Sequence, residues 1–173
     1  MAVQGMNGET FPINTNRRRI VKKEIKTLWT EALRSGEYDQ GSGCLKTVDC
    51  TPKFCCLGVL TDLYRKDKDV SWEEATELAR DPDDYNPTEA KSYMPECVAS
   101  WAGFLESELS DQGDDGLDVE LIPEEWDREK ADVAVSKKFS SRNASVINDS
   151  YINNPAQKNG SFEDIADLIE ENL

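Results

Sequence analysis

The chain predicts a mostly helical α+β fold in a single domain, with a small antiparallel sheet or hairpins. Three observations carry this. Apolar residues recur at three- and four-residue spacing around 21–32, 56–64 and 162–173, as on one face of a helix. Glycine and proline punctuation leaves only short strand-like runs, at 45–48, 119–122 and 133–135. A length of 173 residues allows one real core. The expected layout is a flexible N-terminal arm over 1–15, then one globular domain over 16–173 with an acidic insert at about 106–132.

Gly5, Gly8 and Pro12 lie among polar residues and mark the arm. Thr15 or Asn16 can cap a first helix whose stripe is Val21, Ile25, Leu28, Trp29 and Ala32, ending near Gly36. Its early turns carry Arg17, Arg18, Arg19, Lys22, Lys23 and Lys26. Cations there oppose the helix dipole, at a cost of roughly a few tenths of a kcal/mol each, and could hold an anion. Residues 38–51 read as a loop and a short strand at Leu45–Val48, closed by Thr51-Pro52.

The most apolar run follows, Phe54 to Tyr64. Cys56, Val59, Leu60, Leu63 and Tyr64 share a helical face, and Gly58 allows a neighbour to come close. This is the expected central core helix. Ser71-Trp72-Glu73-Glu74 is a capping box opening a helix to about Arg80. Asn86-Pro87 and Pro95 each start a short helix, the second carrying Val98, Trp101 and Ala102 and stopping at Gly103. Strands at 119–122 and 133–135 can pair. Phe139–Ile147 is ambiguous. Ser161 caps a last helix with Glu163 and Asp164 in its first turn and a stripe of Phe162, Ile165, Ala166 and Ile169. The expected core is Leu28, Trp29, Cys56, Val59, Leu60, Leu63, Val98, Trp101, Phe162, Ile165 and Ile169.

Thirty-five acids against 20 bases give a formal charge of −15, which repels nucleic acid and anionic membrane and favours a partner with a basic surface. No run reaches the roughly 18 apolar residues that span a bilayer, and residues 1–15 hold no apolar signal core, so a cytoplasmic setting without membrane contact is expected. The five cysteines are then reduced thiols.

No histidine is present, which excludes histidine-based nucleophile activation, proton transfer and metal ligation. Cys44, Cys50, Cys55 and Cys56 lack the paired spacing of a zinc site, and Cys55 has no base to activate it. Asp111–Gly116 only loosely imitates a calcium loop, and no phosphate-binding glycine motif occurs. No cofactor and no metal are expected. Residues 106–129 hold eleven acids and one base, so Asp111, Asp114, Asp115, Asp118, Glu120, Glu124 and Glu125 are the candidate contacts for a basic partner.

Several marks recur together: Trp29 leading into Leu33-Arg34-Ser35-Gly36-Glu37-Tyr38-Asp39-Gln40, then Cys55 to Leu60, Trp101-Ala102-Gly103, Asn148-Asp149, and Gly160 to Leu173. In these the chain resembles a family of small uncharacterised proteins of tailed bacteriophages. Against that pattern, 106–137 is longer and more charged, and 68–90 is expanded. The resemblance implies a phage accessory protein in the bacterial cytoplasm and no established reaction. It also singles out Arg34, Tyr38, Gln40, Asn148 and Asp149 as polar members of the pattern beside a core helix.

Three functions are expected, in this order. The first is a non-catalytic binder that counters a host defence system by occupying a host protein through the acidic segment. The second is a sink for a nucleotide-type signal, held by Arg17, Arg18, Lys22, Arg34, Tyr38, Gln40, Asn148 and Asp149. The third is an enzyme working with carboxylates alone.

Overall fold

The structure is a computed structural model. It describes residues 2–4, 10–12, 21–47, 50–77, 92–104, 109–111, 117–121, 143–154 and 159–173. Among these the chain forms six helices: α1 (Lys23–Arg34), α2 (Cys56–Lys68), α3 (Trp72–Glu77), α4 (Glu96–Ala102), α5 (Ala144–Asn153) and α6 (Phe162–Asn172). Six short strands pair two by two: β1 (Ala2–Gln4) with β2 (Thr10–Pro12), β3 (Asp39–Gln40) with β4 (Lys53–Phe54), and β5 (Leu109–Asp111) with β6 (Leu117–Val119).

α2 is the centre, touching α1, α3, α4, α5 and β4. Every residue from Cys56 to Asp62 is buried, and Tyr64 with them, so the first two turns of the helix are covered on all sides while its last turn is exposed. Such turns need no amphipathic stripe, and Thr61 satisfies its hydroxyl on its own helix, donating to the Leu57 carbonyl at 2.9 Å. Gly58 is required for the approach. A Cβ built there would lie 1.7 Å from the carbonyl oxygen of Leu45. Trp29 ties α1 to α2, its fully buried indole N–H donating to the Cys56 carbonyl at 3.0 Å.

α1 buries Ile25, Trp29 and Leu33. Leu28, expected in the core, is 47% exposed, because the buried face is centred one position further round the helix. The helix starts at Lys23, later than its stripe suggests. Lys22 is held extended (φ −53°, ψ 125°) by a backbone bond to the Ala102 carbonyl at 3.0 Å.

Of the strand expected at Leu45–Val48, the described residues 45–47 form none, and Val48 lies outside the described residues. Lys46 makes a single bridge to Phe54, and the pair beside the core is β3–β4, which runs parallel rather than antiparallel. Parallel pairing is possible here because the connection crosses Gly43 at positive φ (77°) and folds back over the start of α2. β6 covers Val119 but pairs with β5. Its expected partner at 133–135 lies outside the described residues, as does the short helix at Asn86-Pro87.

The expected capping box at Ser71 is present, and the expected Ser161 cap is a capping box as well. In one, Glu74 Oε2 accepts from Ser71 N at 2.8 Å and Ser71 Oγ accepts from Glu74 N at 3.1 Å. In the other, Ser161 and Asp164 open α6. Of the ambiguous stretch, 139–142 lies outside the described residues, and 144–147 forms the start of α5. Its Ser, Asn and β-branched content is poor for helix, and tertiary contacts override that weak propensity.

No helix of the described residues is long and apolar enough to cross a membrane.

Candidate functional site

Three polar members of the recurring pattern, Gln40, Asn148 and Asp149, meet where β3, α5 and the start of α6 come together. Gln40 leaves the short strand β3, and its side-chain amide is fully used. Nε2 donates to Asn148 Oδ1 at 2.9 Å and to the Gly160 carbonyl at 2.9 Å, and Oε1 accepts from Phe162 N at 3.1 Å. Asn148 is completely buried in mid-helix and returns a bond from Nδ2 to the Gly41 carbonyl at 2.7 Å. Asp149, one position on, accepts the Gly43 N–H on both oxygens at 3.1 Å. Asn148 and Asp149 thus lie within α5 and bond to the loop after β3. They fasten the 40–43 loop to α5.

Arg34 is likewise committed. Three carboxylates of α6 surround its guanidinium: Glu163 at 3.1 Å, Asp167 at 2.7 Å and Glu170 at 2.6 Å. Their positions, four and three residues apart, put all three on the face that α6 turns to α1. Hydrogen bonds to Glu170 and then Asp167 hold the guanidinium pKa further above its ordinary value.

The Tyr38 hydroxyl donates to Asp62 Oδ2 at 2.8 Å and accepts from Lys66 Nζ at 2.8 Å. Burial pushes its pKa up. Burial alone would raise Asp62 too, but Lys66, Tyr38 and Arg65 outweigh it and hold that carboxyl below its usual range. Lys22 Nζ donates to the Trp101 carbonyl at 2.6 Å, and Lys26 Nζ to that of Glu170 at 2.8 Å. Arg17 and Arg18 lie outside the described residues.

Of the acidic candidates, Asp118 is corrected by the structure. It is fully buried and faces inward from β6. Its carboxylate accepts Val119 N at 2.8 Å, Ser145 N at 3.2 Å and the Ser145 hydroxyl. Ser145 is the second residue of α5, so Asp118 caps that helix from another strand, where Asn143 makes no side-chain cap. Burial raises its pKa despite those bonds. Sequence could not separate Asp118 from its acidic neighbours; its only mark is the alternation Leu117, Val119, Leu121 around it. Glu120 is half-buried and bridges to Asn143 through its backbone. The backbone of Asp111 belongs to β5, while Asp114, Asp115, Glu124 and Glu125 lie outside the described residues.

The two buried thiols at the start of α2 are held in their neutral form. Cys55 caps α2, its Sγ accepting from Gly58 N at 3.4 Å, and burial pushes its pKa up to about 12. Cys56 is also raised by burial. Among the described residues, no three Cys, Asp or Glu side chains are placed to hold a metal ion.

One cavity of about 120 Å³ opens beside this network, lined by Gly43, Cys44, Cys55, Ser92, Tyr93, Ser145 and Asp149. Sequence reasoning reached only Asp149 and the two cysteines. Ser92 and Ser145 carry no motif, and only the fold brings them there.

Residues 21–173 match the family model described as "Domain of unknown function (DUF8296)", and the chain belongs to that family. No curated protein and no solved structure matches the chain.

Proposed function

We propose that this is a phage accessory protein that acts without catalysis, occupying a host protein through its acidic surface and so countering a host defence system. One observation supports it most. The polar side chains that the recurring pattern places beside the core are spent on joining the protein to itself, as Gln40 and Asn148 are with both amide groups bonded. A scaffold that locks its polar pattern inward acts through its surface, and the charge of −15 makes that surface attractive to a basic partner. The resemblance to phage proteins supplies the biological setting.

The contact surface is the 106–129 run without Asp118, whose carboxylate is engaged inside the fold. Reversing Asp114, Asp115, Glu124 and Glu125 to lysine while keeping Asp118 therefore tests the contact without removing the α5 cap. A tagged pull-down from host lysate at low and high salt should give a stoichiometric basic protein that elutes as salt rises and is lost with the fourfold reversal. Capture unaffected by both salt and reversal would end the proposal. The nucleotide-sink alternative finds less support. Arg34, Tyr38, Lys22 and Gln40 are engaged with protein partners, and a cavity of about 120 Å³ is small beside the roughly 300 Å³ or more of ligand pockets.

A further inference from the structure

Three oxygens on the wall of the cavity beside Asp149, those of Ser92, Ser145 and Asp149 itself, have no proton to give it. The Ser92 hydroxyl donates to the Gly43 carbonyl at 2.9 Å. The Ser145 hydroxyl donates to Asp118. A hydroxyl has one proton, so both serines turn lone pairs to the cavity. The Asp149 carboxylate accepts only, and takes its bonds from Gly43 N and Asn148 Nδ2. Among the described residues no lysine or arginine pairs with it. Asp118 lies near enough for the Asp149 charge to be felt there, and the thiol of Cys55 feels it as well. The partial positive charge at the start of α5 is already met by Asp118. A partly buried carboxylate with two further acceptor oxygens beside it complements a ligand that carries positive charge and several N–H donors.

Size narrows the class. A cavity of about 120 Å³ is well below the roughly 300 Å³ or more of ligand pockets, so it suits a cationic head with a short stem. A metal ion is disfavoured, since no three Cys, Asp or Glu side chains of the described residues converge on one. We infer that this cavity binds a primary ammonium group, with Asp149 as the counter-charge and the Ser92 and Ser145 oxygens taking the remaining N–H bonds. Two sources share that chemistry, a free short-chain amine and a lysine side chain of a bound protein. The inference stands apart from the acidic contact surface proposed above, which is made of other residues.

The test is an amide-resolved NMR titration of the wild-type chain with ethylammonium chloride, against tetramethylammonium chloride at equal ionic strength. Tetramethylammonium has the charge and no N–H. Saturable shifts of the Gly43, Ser92, Ser145 and Asp149 amides with ethylammonium alone are the expected result. The response should be lost in Asp149→Asn, whose fold is checked by unchanged amides in α1 and α6. If that variant does not fold, the wild-type comparison still decides. Equal shifts with both salts, or none at these amides, would overturn the inference. Nα-acetyl-lysine methylamide in a third titration separates the sources: saturation at the same amides identifies a protein lysine as the ligand, and exclusion a free amine. Because these titrations contain no host protein, their failure would leave the pull-down result untouched.

Discussion

Gln40 Nε2 lies 2.9 Å from Asn148 Oδ1, a bond between a two-residue strand and the middle of a helix 108 positions later. Around that bond the two amides satisfy each other and three backbone groups, those of Gly41, Gly160 and Phe162. No buried side-chain nitrogen or oxygen among the described residues lacks a partner. A buried network this complete makes the geometry unique and makes any deletion costly.

Gln40→Ala should therefore destabilise the protein by about 3 kcal/mol, because it strands Asn148 Oδ1, the Gly160 carbonyl and the Phe162 N–H together. Urea unfolding of the variant measures it. A loss below about 1 kcal/mol would mean that water takes over the role of the amide.

Gly58→Ala is expected to cost about 3 kcal/mol or more. The added methyl would meet a backbone carbonyl, that of Leu45, and cannot swing aside as it could from a flexible side chain. Thermal unfolding followed by circular dichroism would show it, and an unchanged melting temperature would contradict the close approach of 45 to α2.

Two carboxylates should pull the pH dependence of stability in opposite directions. Asp118 has its pKa raised in the folded state, with burial the main cause. Its contribution is thus fully present below the ordinary carboxyl pKa and is lost as pH rises through the raised value. Asp62 has its pKa lowered by Lys66, Tyr38 and Arg65, against burial. It contributes stability above the ordinary value and loses it as pH falls through the lowered one. Against Asp118→Asn, the wild type should gain relative stability on acidification. Against Asp62→Asn it should lose relative stability. Denaturation series across the acid range check both signs.

Arg34→Ala should loosen α6 from α1, and the loss should shrink as salt is added, since Glu163, Asp167 and Glu170 are at least half exposed and open to screening. Hydrogen exchange of α6 amides at low and high salt would reveal this. A salt-independent loss would point to packing of the Arg34 stem instead.

By itself the sequence determined the helices whose ends and faces are written locally. The capping boxes at Ser71 and Ser161, the stops at Gly36 and Gly103, and the apolar run from Phe54 to Tyr64 all rest on contacts within a few residues. It also made Gly58 conspicuous, a glycine inside the most apolar helix. Only tertiary structure decided the rest. Whether Leu28 or Leu33 enters the core depends on which neighbour α1 meets. Whether 39–40 or 45–48 becomes the strand beside β4 depends on where the chain turns back over α2. Asp118 and its acidic neighbours are alike in sequence. What sets it apart is the N-terminus of a helix that begins 26 residues later and takes its cap from β6. The same holds for Arg34, Gln40 and Asn148. Their polarity was legible, but their partners lie more than 100 residues away, and only the fold shows that they hold the protein together.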